Sequence, residues 1–363
     1  MIQEVLTKPA LVGNIHLHPG PQFTTPHRLW QGCPTIERTP GGRLLAGWYS
    51  GGMREPDMAN YNLLVKSDDN GLTWTEPILV IESLFFPGLR CIDIQLWMDP
   101  DKKLWLFWTQ VTGWGDPSNL CHETWAMTTI APDADEIPWS EPFYVAKGFL
   151  RCKPTVLRDG RYLLCSYDRD STTYNYSESS DKGTTWTRRQ GGQKVPTDFD
   201  ESMILEHRDG TLHLFARTRD SGFLGESFSR DGGKSWTNGS NSPIVAPGSR
   251  FYIARLKSGN ILRVSNDSGT TRTDLKAFLS FDDGKSWPHS ILLDNRNHVS
   301  YPDVTEDSSG NIYIVHDWSR LEEKAIFLSR LTEADIIAGG PVNADSFVGR
   351  LLNQPPRHPI FPR

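Results

Sequence analysis

The 363-residue chain has no run of 18 apolar residues, so no membrane-spanning helix is expected. Cysteine is scarce. Five residues (Cys33, Cys91, Cys121, Cys152 and Cys165) make an odd count without metal-ligand spacing, which argues against a disulfide framework or a structural zinc site. Positive charge is not in excess: 38 Lys and Arg against 44 Asp and Glu leave a net charge of −6, which excludes nucleic acid as a bulk partner. Helical periodicity is nearly missing, apart from the stretch after Leu331 (LTEADIIAG), read as a short helix or turn ending at Gly339. The first twenty residues lack the basic and continuous apolar regions of a secretory leader, and with the unpaired thiols this favours a cytoplasmic setting. Nothing in the sequence calls for a metal or another cofactor.

What the chain does have is repetition. SDDNGLTW, SSDKGTTW, SRDGGKSW and SFDDGKSW begin at Ser67, Ser179, Ser229 and Ser280, each reading Ser-x-Asp-x-Gly-x-Thr/Ser-Trp. A period near 50 residues marks a solenoid, propeller or array. The Asp accepts backbone N–H groups across a turn, the Gly takes a positive φ, and the Trp suits a wedge between repeats. These phrases read as structural clips. Six further segments place a turn before alternating apolar residues, with turn positions at Gly42, Lys102, Gly160, Gly210, Gly259 and Gly310. The second repeat has lost its Gly and keeps only Trp139-Ser140 of the phrase. The expectation is an all-β, six-bladed β-propeller of four-stranded antiparallel blades, one domain over 1–363 with a Pro-rich tail from about 353. Of the 13 Trp, Trp105 and Trp108 fall on strands and read as core.

In a propeller the innermost strand of each blade lines a central channel, so one phase of the repeat forms a ring. Nine residues before each turn stand Cys33, Asp93, Arg151, Glu201, Arg250 and Tyr301. Such groups in a concavity suit an anionic ligand, and Arg90, Arg217, Arg219, Arg255 and Arg272 stand nearby. The bland alternative is a ring of ion pairs closing the channel.

Over nearly its whole length the chain resembles the sialidase superfamily, the BNR or Asp-box proteins. DESMILEHRDGTLHLFARTRD resembles the blade that opens on a Glu and carries an Arg after the next strand. The likeness implies Glu201 as the carboxylate partner of the nucleophile and Arg217 as one arginine of a carboxylate-binding triad. RTDLKAFLSFDDGKSW implies Arg272 as another, and SYPDVTEDSSGNIYIVHD implies Tyr301 as the nucleophile. The loop GGMREPDMANYNLLVKSDDNG implies Asp57 as the acid/base. Two departures stand out. The family's first-blade arginine is missing at Gln31-Gly32-Cys33-Pro34, leaving Arg90, Arg151 or Arg250 to replace it. Pro302-Asp303 follows Tyr301, adding a carboxylate beside it.

The resemblance implies exo-acting hydrolysis of a terminal acidic sugar, sialic acid or a relative, from a glycan partner. Retaining glycosidases ordinarily use two carboxylates, and a Tyr nucleophile is the sialidase exception. Two alternatives stay open: an enzyme on uronate-containing glycans, glycosidase or β-eliminating lyase, with His298 or Tyr301 as base; and a non-catalytic carbohydrate-binding propeller.

Overall fold

Each turn-and-strand segment folds as the inner hairpin of a blade. Five of the six turn positions are glycines with φ between 79° and 98°, and Lys102 takes the same left-handed role at φ 63°. The computed structural model describes residues 12–83, 88–113 and 120–357. Its sheets are antiparallel, with innermost strands Gln31–Arg38, Arg90–Met98, Thr155–Val156, Met203–Glu206, Tyr252–Arg255 and Val299–Glu306. Five blades have four strands each; the first gains a fifth, Asn14–His16, paired with Leu79–Glu82. The short helix follows Leu331 as expected, spanning Glu333–Ala338 and capped by Gly339 at φ 73°. Among the described residues no helix is long and apolar enough to cross a membrane.

The apolar core lies between blades. One cluster joins Leu44, Trp48 and Leu63 of the first blade to Val315, Ile326 and Leu328 of the sixth, and comparable clusters fill the other interfaces. Each fully buried large aliphatic or aromatic side chain contributes about 1.5–3 kcal/mol, so the ring is held by many equivalent contacts. Trp97, Trp105, Trp108 and Trp125 are all buried here, which makes the second blade's indoles core; Trp114 lies outside the described residues. The sixth blade takes all four strands from residues 299–353. Polar side chains help close the seam: buried Arg28 bonds Asn353, and Gln31 bonds the Lys324 carbonyl at 2.5 Å.

The repeated phrases are clips. In each, the Asp accepts from the first Ser and from the backbone and hydroxyl of the Thr or Ser four residues on. The phrase Trp packs on the preceding blade: Trp186 lies edge-on to Trp105, and Trp236 to Tyr176.

One irregularity aims side chains into the channel. The inner strands of the first, second and sixth blades shift register at Gly32/Thr35, Ile92/Gln95 and Ser300/Asp303. Within these bulges Cys33, Asp93 and Tyr301 adopt φ of 59°, 61° and 53°, and Glu201 adopts 38° just before its strand. Left-handed backbone at a non-glycine residue costs about 1–3 kcal/mol and persists only where the surroundings impose it. Four of the six ring residues therefore carry backbone strain at one end of the channel.

The phrase carboxylates of Asp69, Asp181, Asp231 and Asp282 are held down to about 2, chiefly by the hydroxyl of the Thr or Ser four residues on. A depressed folded-state pKa gives stability that is complete above the unfolded value near 3.8 and lost as pH falls through about 2. Melting temperature should thus drop between pH 4 and 2, and Asp231→Asn should flatten part of that drop. An identical acid profile in the variant would contradict the clip role.

Candidate active site

The ring phase brings Tyr301 and Glu201 together at one mouth of the channel. The Tyr301 hydroxyl donates to Glu201 Oε1 at 2.5 Å, and Arg217 Nη1 donates to Glu201 Oε2 and to the Tyr301 oxygen, both at 3.1 Å. Both residues are buried. An apolar collar of Trp30, Cys33, Tyr49, Ile92, Val111, Phe149 and Tyr167 surrounds Tyr301, with Phe199 packed against it. Burial first, and then the Glu201 charge, push the Tyr301 phenol up to about 12 against the pull of Arg217, Arg151 and Arg320. Burial alone would raise Glu201, but Arg217 and Arg151 outweigh it and keep this carboxyl below its ordinary range. The pair is thus a neutral phenol hydrogen-bonded to a carboxylate.

Arginines ring the tyrosine. The guanidinium carbons of Arg320, Arg151 and Arg272 lie 4.1, 5.4 and 5.5 Å from its ring centroid. Arg151 pairs with Asp93 at 2.8 Å and with Glu55 at 3.2 Å. Arg320 pairs with Glu55 at 2.9 Å and Asp317 at 3.0 Å. Arg272 donates to the Gly248 carbonyl at 3.0 Å and, among the described residues, has no carboxylate partner. Burial, then the like charges of Arg320 and Arg217, lower its pKa. It is the guanidinium that an incoming anion would relieve.

The other residues expected from the sequence serve different places. Arg250, at the ring phase itself, pairs at 2.9 Å with Asp303, which stands two steps nearer the hairpin-turn mouth than Tyr301; both are buried. Asp303 also accepts from Thr35, the Ile36 N–H and Gln95, beside the Lys153–Glu37 pair. This layer is an ionic plug between the tyrosine and a cavity of about 1160 Å³ at the opposite mouth, which Glu37 and Lys153 help to line. The ring of ion pairs weighed against a ligand site thus exists too, one level deeper. Arg90 holds the loop after the first blade's second strand, bonding the Asp57 carbonyl at 3.3 Å and Asn60 at 3.2 Å. The Asp57 carboxylate accepts the N–H groups of Met53 and Ala59. His298 is exposed in the turn before the Tyr301 strand, with φ 66°. Arg219 pairs with Asp198, both partly exposed. Arg217 also lines a neighbouring pocket of about 430 Å³ with Thr218, Asp220 and Gly248.

Two site residues escaped the repeat ruler: Arg320 and Glu55. Arg320 follows the second strand of the sixth blade and lies over Gly32, where the family's first-blade arginine is missing. A Cβ on Gly32 would meet Arg320 Cδ at 2.4 Å and Cγ at 2.7 Å. The missing side chain on one blade is therefore the room for an arginine from the next. The available signal was the pair itself: a glycine at the family's arginine position, and an extra Arg in the blade that carries Tyr301. Among the described residues no group of three or more His, Cys, Asp or Glu is placed to hold a metal ion.

A propeller with an arginine-ringed tyrosine–carboxylate pair at one mouth defines a sialidase-like class. Residues 42–314 match the BNR repeat-like domain, and the chain belongs to that family as a divergent member of the sialidase superfamily. It is 26% identical to a sialidase of Micromonospora viridifaciens over 78% of this chain and 49% of that protein. It is 25% identical to a sialidase of Bacteroides fragilis over 70% of this chain and 54% of the relative. The chain thus spans about half the length of these curated relatives. The NanB sialidase of Streptococcus pneumoniae superposes with a TM-score of 0.67 at 16% identity, covering 86% of this chain and 70% of that one. An intramolecular trans-sialidase of Ruminococcus gnavus, solved with oseltamivir carboxylate, gives 0.66 at 16% identity, covering 90% and 98%. At these identities the structures establish a shared fold.

Gly32→Ala should displace Arg320 while leaving the backbone unstrained. Affinity for a small carboxylate, read by titration calorimetry, should fall about 10- to 150-fold, the scale of one charge-assisted hydrogen bond worth about 1.5–3 kcal/mol. Unchanged affinity would show that Arg320 takes no part in anion binding.

Proposed function

We propose that the protein is an exo-acting glycoside hydrolase that removes a terminal acidic sugar, sialic acid or a close relative, from a glycan with retention of configuration. The observation that carries this reading is the Tyr301–Glu201 hydrogen bond of 2.5 Å inside a ring of arginines. A neutral phenol avoids the repulsion that a carboxylate nucleophile would meet at an anomeric carbon bearing its own carboxylate. Arg272, with Arg217 and Arg320, would fix that carboxylate and so orient the sugar against Tyr301.

Attack needs the phenolic proton removed, because a phenol near 12 is a weak nucleophile at neutral pH. Glu201 already accepts that proton's hydrogen bond and, held ionised by Arg217 and Arg151, is ready to take it. A carboxylate on the loop 51–60, where the resemblance marks Asp57, then protonates the leaving oxygen and activates water for the second step.

Tyr301→Phe should lower hydrolysis of a fluorogenic sialoside by at least about 10³-fold while substrate affinity stays within a few-fold. Full activity in the variant would contradict the nucleophile. Release of an unsaturated uronate absorbing in the ultraviolet would establish the lyase instead, and saturable glycan binding without turnover the binding module.

A further inference from the structure

The loop 51–60 carries two carboxylates, and the structure gives them different work. Asp57 is a pin inside the loop: its two oxygens accept the Met53 and Ala59 N–H groups at 3.2 and 2.9 Å. Asn60 ties the same loop through the carbonyls of Gly51 and Arg54. Glu55 leaves the loop instead and reaches into the mouth, where one oxygen meets Arg151 at 3.2 Å and the other Arg320 at 2.9 Å. Those two guanidinium groups flank the Tyr301 ring. Gly51 and Gly52, at φ 76° and 65°, form the loop's near end.

We propose that Glu55, rather than Asp57, is the carboxylate that protonates the leaving oxygen and then activates water, and that the substrate's own anionic group releases it for this by taking over Arg320. The inference rests on the reading of the site as an acidic-sugar hydrolase. Arg151, Arg320, Asp93, Asp317, Cys33, Tyr49 and Tyr301, with Glu201 and Tyr167 beside Arg151 and Arg272 beside Arg320, are the titratable and charged groups that face Glu55 or its two arginines. In the resting site burial opposes ionisation, but Arg320 and Arg151 outweigh it and hold Glu55 at about 2. An arriving carboxylate shares Arg320 and adds a negative charge nearby, while Arg151 is already shared with Asp93. Both changes raise the proton affinity of Glu55. A neutral sugar brings no such charge and leaves Glu55 ionised, so the anionic group is required for the chemical step as well as for binding.

The steps balance. The Tyr301 proton passes to Glu201 as the phenolic oxygen bonds the anomeric carbon, and the bond to the leaving oxygen breaks as that oxygen takes the proton from Glu55. Water then gives a proton to Glu55 while its oxygen attacks the anomeric carbon, and the Tyr301 oxygen departs and recovers its proton from Glu201.

The test compares Glu55→Gln, Glu55→Asp and Asp57→Asn in the full chain on two sialosides, one with an alkyl aglycone and one with a dinitrophenyl aglycone that leaves unprotonated. Glu55→Gln should lose about 10²–10⁴-fold in kcat on the alkyl substrate and much less in aglycone release from the dinitrophenyl one. Azide should restore turnover of the dinitrophenyl substrate, where the glycosyl-enzyme still forms, and yield the glycosyl azide. Glu55→Asp, which keeps the carboxylate, should retain part of the alkyl activity. Asp57→Asn should affect both substrates alike and gain nothing from azide. Leaving-group dependence and azide rescue in Asp57→Asn, or equal losses on both substrates in Glu55→Gln, would overturn the assignment while leaving the hydrolase intact. Failure of the unmodified protein to cleave any acidic glycoside would remove the hydrolase reading itself, and this inference with it.

Discussion

The Glu201 carboxylate is the group on which the site depends. Buried and ionised, it is tolerable only because Tyr301 and Arg217 both donate to it and Arg151 adds its field. Those donors come from different blades, so the ring must close for the carboxylate to be satisfied. The left-handed backbone at Glu201 and Tyr301 turns both side chains toward the axis. Between-blade packing sustains that strain; the clips and bulges are parts of one device for holding an oxygen pair in place.

Around this pair the charges are nearly balanced. Arg151, Arg217 and Arg320 have carboxylates within hydrogen-bonding distance, drawn from Asp93, Glu55, Glu201 and Asp317. Arg272 does not, among the described residues, and its neighbours' charges act against it. Arg272 is thus the guanidinium at this mouth that the proposed acidic sugar would pair with. Below it Arg250 and Lys153 are matched in charge by Asp303 and Glu37, which suits the layer to closing the channel.

The sequence made the frame legible because propeller blades are a local repeat with fixed turn chemistry. The four phrases and six turns gave the blade count and the phase shared by Tyr301 and Glu201, and a local helical period marked the short segment before Gly339. The fifth strand of the first blade carried no repeat signal and was missed. Depth was missed too. Arg250 shares the ring phase but lacks the left-handed turn, and its side chain bonds Asp303 in the plug. Arg320 and Glu55 enter the mouth from connections between strands, where spacing varies and a strand ruler has no hold. Gly32 was read as a loss, when in space it is the vacancy that Arg320 fills.

The central claim is that Tyr301, poised by Glu201, attacks an acidic sugar. The most direct measurement is mass spectrometry of the intact and digested protein after reaction with a fluorinated sialic acid analogue that forms the glycosyl-enzyme quickly and releases it slowly. The account predicts one sugar per chain, carried on the peptide containing Tyr301 and lost in Tyr301→Phe. An adduct on another residue, or turnover of the parent sialoside with no covalent adduct under any quench, would contradict it.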